Sequence, residues 1–351
     1  MTADAVGGVW TYALDLAASL AEQRIEVILA VMGPQPTPEQ HAKASCIPRL
    51  EILEAPFQLE WMPEPWADLP EAGEWLMKLE QAYQPDVVHL NGYCHAALNW
   101  RAPVLVVAHS CVLSWWLAVK GCPAPPEWDR YRSLVAQGLR AADMVVAPSS
   151  AMLSSLDHLY GSLSATMVIP NGRSPGVFAP GKKEPIVFAA GRLWDEAKNL
   201  SALDCVAPQL SWPVYVAGNR NHPDGRTWEG KSLRCLGALG ASALADWMAR
   251  ASVFALPALY EPFGLSVLEA ALSSCALVLG AIPSLQENWS DAAIFVPPHD
   301  LRALHCAIEG LIANQELRQS LGAQARARAL KFDPERMVRE YQNVYGRIAC
   351  A

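Results

Sequence analysis

Short, almost continuously apolar segments alternate along the chain with stretches in which apolar residues recur at helical spacing. Runs of this kind lie at 25–32, 86–91, 103–110 and 144–149, and again at 185–191, 213–218, 252–257 and 276–280. Continuous rather than alternating apolar runs are typical of parallel strands buried on both faces. The pattern therefore predicts a set of buried parallel strands.

The stretches between these runs predict amphipathic helices. Tyr12, Leu16 and Leu20 lie four residues apart, which places them on one face of a helix. The repeated strand–helix order indicates the α/β class with two doubly wound, Rossmann-like domains, and 351 residues suffice for two domains. The segment 169–185 is rich in Pro and Gly, so we place the joint there, with domains at 1–172 and 173–332.

Two local features concern the ends of the chain. Asp333 followed by Pro334 resembles a helix N-cap with proline at the first position, so a final helix is predicted over 333–351. At the other end, only MTADAV precedes Gly7 and Gly8. A full first strand would need a few more residues, so we expect that strand to be short.

Composition excludes several classes of protein. The net charge is −8, which argues against a nucleic-acid partner. Nine cysteines without a CxxC pair argue against a disulfide framework or a zinc site and fit a reducing cytoplasm. No apolar run reaches about 18 residues, and no signal-peptide pattern is present. We expect a cytoplasmic protein without a transmembrane segment; peripheral association with the inner membrane face stays open.

The stretch 259–272, LYEPFGLSVLEAAL, carries the strongest chemical signal. Pro262 suits the start of a helix, and Gly264 lets a ligand approach the backbone closely. The free amides and the dipole at such a helix start form an anion site suited to a diphosphate. The alternative interpretation is a capped surface helix with a chance glutamate.

Glu261 and Glu269 are eight residues apart. If all the steps were helical, their backbones would lie about 12 Å apart. The carboxyl pairs of glycosidases lie roughly 5–9.5 Å apart. We therefore expect the two glutamates to bind different hydroxyl pairs of one long ligand, as on a sugar and a ribose.

Three further segments could contact a ligand. GRLWDEAKN at 191–199 follows a predicted strand and places Arg192 and Lys198 where open α/β sheets bind ligands, although a solvated loop is the alternative. The Gly7–Gly8 pair could approach a phosphate or could be an ordinary turn. His109 closes a predicted strand, where a structural histidine is the default alternative to a sugar contact.

These motifs resemble the retaining glycosyltransferases of family 4, the glycosyl transferases group 1. The matching segments are EPFGLSVLEA, GRLWDEAKN, the N-terminal GGVW, HS at 109–110 and PNG at 170–172. The resemblance covers essentially the whole chain. It implies a GT-B fold, in which two Rossmann-like domains face each other across a cleft and the final helix packs back onto the N-terminal, acceptor-side domain. The C-terminal domain would bind the donor.

The resemblance also implies the role of each matching residue. The donor diphosphate would be bound by Gly8, Arg192, Lys198, Gly264 and Leu265. The transferred sugar would contact His109, Glu261, Phe263 and Gly264. The nucleoside would contact Leu236 and Glu269. His109, Glu261, Arg192 and Lys198 would be the catalytic residues. Arg192 and Lys198 are separated by one residue more than the corresponding residues in many members of the family. A one-residue bulge would still bring Lys198 to the donor diphosphate.

The resulting hypothesis is a retaining hexosyltransferase without a cofactor or metal, since the family needs none and the chain lacks an Asp-x-Asp motif. The donor would be a nucleotide sugar, UDP-glucose as the first choice. The acceptor would be a growing glycan, a lipid-linked sugar or a small molecule. The alternatives are a sugar-nucleotide epimerase or phosphorylase on the same fold, and a non-catalytic protein that binds a sugar nucleotide.

Overall fold

A computed structural model describes residues 1–222 and 225–350 of the chain. The chain divides into two compact units. Unit 1 contains Met1–Gly172 together with the C-terminal segment from Pro334 onward, and unit 2 contains Arg173–Asp333. Each unit has its own parallel β-structure flanked by helices, and each is described separately.

Unit 1 alternates strands and helices through its first 172 residues. In chain order these elements are β1 (Thr2–Asp4), α1 (Gly8–Glu22), β2 (Val27–Met32), α2 (Pro38–Ser45), β3 (Leu50–Ala55), α3 (Asp68–Tyr83), β4 (Val88–Leu90), β5 (Val104–Val107), α4 (Val112–Lys120), α5 (Asp129–Ala141), β6 (Met144–Ala147), α6 (Ser150–Tyr160) and β7 (Thr166–Val168). The strands form two parallel sheets, β1-β2-β3 and β4-β5-β6-β7.

A side chain links the two sheets of unit 1. Asn91 follows β4 directly, and its Nδ2 donates to the Thr2 carbonyl oxygen at 2.7 Å. The Asn91 backbone amide donates to Thr2 Oγ1 at 2.9 Å. These bonds join the edge of β1 to the edge of β4. The strands of unit 1 therefore follow one another in the order β3-β2-β1-β4-β5-β6-β7, which is the doubly wound order extended by one strand.

Unit 2 contains one six-stranded parallel sheet. Its elements are β8 (Glu184–Ala190), α7 (Leu200–Val206), β9 (Val214–Ala217), β10 (Arg234–Cys235), α8 (Ala241–Arg250), β11 (Ala251–Leu256), α9 (Leu265–Leu272), β12 (Ala276–Gly280), α10 (Pro283–Trp289), β13 (Ala293–Val296), α11 (Leu301–Ala313) and α12 (Gln315–Ala329). The strand order is β10-β9-β8-β11-β12-β13. The winding therefore reverses between β8 and β11, and open α/β sheets bind ligands beyond the carboxyl ends of the strands at such a point.

The last helix, α13 (Pro334–Ala349), belongs to unit 1. Pro334 is its first residue, as the sequence predicted. Its apolar stripe of Met337, Val338, Tyr341 and Val344 is buried in one hydrophobic cluster with the inner face of α1. Burial of this stripe, rather than helix propensity, holds α13 in place.

Each of the predicted apolar runs contains a strand, so the buried parallel strands are confirmed. The sequence did not predict β3, β7, β10 and β13. β3 is an edge strand whose LEILEA sequence mixes glutamate with apolar residues, and β10 contains only Arg234–Cys235. Edge strands are half-exposed, so they lack the continuous apolar signal. β1 is short, as predicted, with three residues.

Candidate functional site

The candidate site in unit 2 lies where the chain leaves β8 and β11. The segment after β8 contains Arg192 and Lys198, and the segment after β11 leads to Glu261. Main-chain and side-chain bonds fasten the two segments together. The amide of Leu259 donates to the Ala197 carbonyl oxygen at 2.8 Å, and Asn199 Nδ2 donates to the Pro257 carbonyl oxygen at 2.9 Å. The two predicted ligand segments therefore form one surface.

The backbones of Gly191 and Gly218 approach each other closely beside this surface. Gly218, after β9, has a φ of +149°, and a Cβ there would lie 1.7 Å from the carbonyl oxygen of Gly191. The Gly218 amide donates to the Gly237 carbonyl oxygen at 2.8 Å, which holds the segment 236–239 beside β9. Leu236 donates its amide to the Val216 carbonyl oxygen at 2.9 Å. Glycine at 218 thus brings the proposed nucleoside segment close to the turn after β8.

An ion pair between Lys198 Nζ and Glu261 Oε2 connects the two ligand segments. Both side chains are 12% exposed. Lys198 ends a short 3₁₀ turn that Asp195 caps by accepting from the Ala197 amide at 3.0 Å. Ser284 Oγ donates to the carbonyl oxygen of Glu261. The longer spacing between Arg192 and Lys198 is accommodated by this capped turn, which delivers Lys198 to Glu261.

Arg192 lies at the open side of the same turn. Its Nη2 is 2.8 Å from Asp195 Oδ2, and its guanidinium carbon is 5.3 Å from the ring centre of Trp194. The Arg192 side chain is 38% exposed, whereas the Asp195 side chain is 4% exposed. A buried carboxylate and an indole face therefore orient a guanidinium whose edge reaches solvent.

The prediction that a helix starts at Pro262 is wrong by three residues. α9 begins at Leu265, and Gly264 precedes it with a φ of +93°. This left-handed conformation, which glycine adopts readily, separates Pro262 from the helical backbone. Phe263 is buried and its ring packs edge-on against Phe332 with 5.7 Å between centroids. The backbone amides at the start of α9 have no partner within the helix, so the expected anion-binding geometry begins at Leu265.

Glu269 lies on α9 and forms a buried ion pair that the sequence analysis missed. Its Oε1 is 2.6 Å from Arg173 Nη2 and accepts from Arg173 Nε at 2.8 Å, and both side chains are 7% exposed. A glutamate inside the apolar run VLEAAL requires a buried cation, so the need for a partner was visible in the sequence. The sequence does not show that this partner is Arg173, because the two residues are 96 positions apart.

Two family profiles match the chain. Glycosyltransferase Family 4 matches residues 6–176 and Glycosyl transferases group 1 matches residues 184–314. The chain belongs to the family 4 glycosyltransferases. The resemblance inferred from the motifs is confirmed, and with it the assignment as an enzyme that transfers glycosyl groups.

Related glycosyltransferases have several different activities. O-antigen chain mannosyltransferase B of Escherichia coli is 27% identical over 144 residues, which are 39% of this chain and 38% of that protein. D-inositol 3-phosphate glycosyltransferase of Kribbella flavida is 25% identical over 384 residues, covering 94% of this chain and 88% of that protein. The chain thus spans less than half of the first relative and most of the second.

Solved structures show the fold of this glycosyltransferase. Sucrose-phosphate synthase from Thermosynechococcus elongatus aligns with a TM-score of 0.83 at 21% identity, over 99% of this chain and 98% of that one. Anabaena HepE in complex with UDP-glucose aligns with a TM-score of 0.77 at 16% identity, over 99% of each chain. The predicted GT-B architecture with two Rossmann-like domains is confirmed.

In unit 1 of the glycosyltransferase, Gly8 is the first residue of α1 and lies exposed after Gly7, whose φ is +88°. His109 follows β5 by two residues. Its Nε2 lies 2.8 Å from Asn91 Oδ1. Because Asn91 Nδ2 donates to Thr2, Oδ1 is the acceptor and His109 carries its proton on Nε2.

Burial lowers the pKa of His109 to about 3, so the ring is neutral near pH 7. Its ring packs edge-to-face with that of Tyr12, with 4.5 Å between the centroids. His89 lies in the same network: its Nδ1 is 2.7 Å from Tyr345 Oη and its Nε2 is 3.2 Å from Asn91 Oδ1. A neutral, oriented imidazole can polarise a ligand by hydrogen bonding but carries no charge.

No described helix of this glycosyltransferase is both long and apolar enough to cross a membrane.

Proposed function

We propose that this glycosyltransferase is a retaining hexosyltransferase that takes glucose from UDP-glucose without a metal ion. The observation that carries the proposal is the Lys198–Glu261 pair, which lies at the switch point of unit 2 near the amide end of α9. It combines a cation for a diphosphate with a carboxylate for sugar hydroxyls. UDP-glucose is the first choice because HepE of similar fold was solved with it.

The proposed reaction transfers the glucosyl group with retention. The bond between the anomeric carbon and the β-phosphate oxygen breaks, and the acceptor hydroxyl oxygen forms a bond to the same carbon on the same face. The hydroxyl proton passes to the departing phosphate oxygen. Charge therefore develops on the diphosphate, where preorganised cations and amides stabilise it best.

Four of the site residues and the start of α9 have roles in this scheme. Arg192, Lys198 and the first amides of α9 stabilise the departing diphosphate, which replaces the need for a divalent ion. Glu261 accepts hydrogen bonds from sugar hydroxyls, and Glu269 accepts them from the ribose. The acceptor is a glycan, a lipid-linked sugar or a small metabolite. We place the enzyme in the cytoplasm because its nine cysteines are scattered and include no CxxC pair, a pattern that fits a reducing compartment.

Donor hydrolysis in the absence of an acceptor tests the proposal. Arg192→Ala and Glu261→Ala should each lower the rate of UDP release from UDP-glucose at least about tenfold, or 1.4 kcal/mol in the barrier. Lys182→Met, at an exposed lysine outside the site, is the control and should leave the rate unchanged. Unchanged hydrolysis in folded forms of both site variants would refute the site.

Three further measurements define the chemistry. A thermal-shift panel of nucleotide sugars identifies the donor, since a ligand that binds only the folded state raises the Tm.

Excess EDTA should leave the rate of UDP release intact, and a strict metal requirement would contradict the scheme. NMR of the product should show the donor's anomeric configuration; conversion of the sugar while still nucleotide-bound would indicate an epimerase instead.

A further inference from the structure

Arg173 is held in place from both ends. Its amide donates to the carbonyl oxygen of Phe332 at 3.0 Å, and its guanidinium lies 5.0 Å from the ring centre of Phe178. Nε and Nη2 both approach Oε1 of Glu269, at 2.8 and 2.6 Å. The guanidinium therefore has a fixed position, and it fixes one oxygen of the carboxylate.

This pair lies at a buried part of α9. Every residue of α9 from Val267 to Leu272 is buried, Glu269 included. Two well-packed apolar side chains usually stabilise a protein interior at least as well as a buried ion pair does, because both charges lose their hydration. Stability alone therefore gives a weak reason for this pair, and a use for the charge on Glu269 gives a stronger one.

We propose that Arg173 is a positioning residue that holds the carboxylate of Glu269 in place for recognition of a ribose diol. This inference rests on the proposed function, in which Glu269 contacts the nucleoside of the donor. A carboxylate accepts hydrogen bonds from both hydroxyls of a ribose, whereas a protonated carboxyl group loses part of that capacity. Without Arg173, the Glu269 side chain would lose the two contacts of 2.8 and 2.6 Å that fix Oε1. Arg173 thus sets the preference for ribonucleotides over nucleotides lacking the diol.

The test compares UDP with 2′,3′-dideoxy-UDP by isothermal titration calorimetry. The wild-type enzyme should bind UDP at least tenfold more tightly than the dideoxy analogue. Arg173→Met and Glu269→Gln should each reduce this ratio to below threefold. Arg173→Lys should give an intermediate ratio, since an ammonium supplies one point charge where the guanidinium supplies a rigid fork. In donor hydrolysis, Arg173→Met should raise KM for UDP-glucose more than it lowers kcat.

A second Arg–Glu pair of unit 2 supplies the control. Arg250 Nε lies 2.9 Å from Glu184 Oε1, and these side chains are 42% and 43% exposed. Arg250→Met should leave the UDP to dideoxy-UDP ratio at its wild-type value. A folded Arg173→Met enzyme with the wild-type ratio would overturn the inference. If Arg173→Met does not fold, a wild-type ratio in Arg173→Lys overturns it.

Failure of the proposed function gives a different result. In that case the wild-type enzyme binds neither UDP nor ADP nor GDP, and the variants have no ratio to compare. Binding of UDP and its dideoxy analogue with equal affinity by the wild-type enzyme would overturn the inference alone and leave the diphosphate site standing.

Discussion

Replacing Lys198 by Met should destabilise the enzyme, because it leaves the Glu261 carboxylate without its cation. Breaking a fully buried pair from one side costs about 3–5 kcal/mol, whereas an exposed pair contributes roughly 0–1 kcal/mol. The two side chains are each 12% exposed, which places the pair closer to the buried limit. We therefore expect Lys198→Met to lower the free energy of unfolding by about 2–3 kcal/mol.

Urea denaturation followed by circular dichroism measures this loss. The curves should be fitted with as many transitions as they show, because the two units can unfold separately. Glu261→Gln removes the stranded charge, so the double variant Lys198→Met/Glu261→Gln should regain at least about 1 kcal/mol over Lys198→Met, as expected for coupled neighbours. Lys182→Met, at an exposed position, should change stability by less than about 0.5 kcal/mol.

Two results would refute the reasoning. A loss below about 1 kcal/mol for Lys198→Met would mean that water screens the pair as it does at a surface. Strict additivity of the Lys198 and Glu261 substitutions would mean that the two side chains do not interact, and the surface formed by the two ligand segments would then lose its central contact.

The remaining predictions concern two glycines and a histidine. Gly218→Ala should cost about 2–4 kcal/mol in thermal unfolding, because its Cβ would lie 1.7 Å from the Gly191 carbonyl oxygen at a φ of +149°, and a wild-type Tm would contradict this. Gly280→Ala should cost about 1–3 kcal/mol, since its Cβ would lie 2.3 Å from the Ala258 carbonyl oxygen; an unchanged urea midpoint would contradict the clash. Burial lowers the pKa of His109 to about 3, so the unfolded chain binds the proton first as the pH falls. The contribution of the neutral ring to the free energy of unfolding is complete above about pH 6.5. It is lost as the pH falls from 6.5 to 3 and amounts to at most about 5 kcal/mol. His109→Gln should therefore flatten this part of the curve of unfolding free energy against pH, measured by urea denaturation.

The central strands were predictable because burial on both faces leaves an unambiguous apolar run. β5, β6, β8 and β11 are of this kind. The link between β1 and β4 was not predictable, because a single asparagine, Asn91, replaces the ladder that a sequence pattern would suggest. Local hydrophobic pattern identifies which segments are strands, but it does not identify the side chain that joins two sheet edges.

The structure brings together those candidate site residues that lie next to strand ends in the sequence. Arg192, Lys198 and Glu261 each follow a strand end, and the topology brings those ends together at the switch point. The sequence predicts the start of α9 three residues too early, because Pro262 is compatible with a first helical turn. The left-handed conformation of Gly264, which delays the helix to Leu265, is decided by its tertiary surroundings. Arg173 was missed for a related reason: it acts across 96 residues, on a carboxylate that only the fold brings near it.

The ion pairs of the candidate site also bear on how a diphosphate could be bound. Lys198 pairs with the carboxylate of Glu261 and Arg192 with that of Asp195, and each of these two acidic residues has a further hydrogen bond of its own. Asp195 caps the 3₁₀ turn, and the Glu261 carbonyl oxygen accepts from Ser284. The cations therefore need not be ordered by the incoming phosphate, so less conformational entropy is lost when it binds. In the mechanism that we propose, preorganised charges of this kind would stabilise a departing diphosphate without reorganisation during the reaction, so that a metal ion would be dispensable.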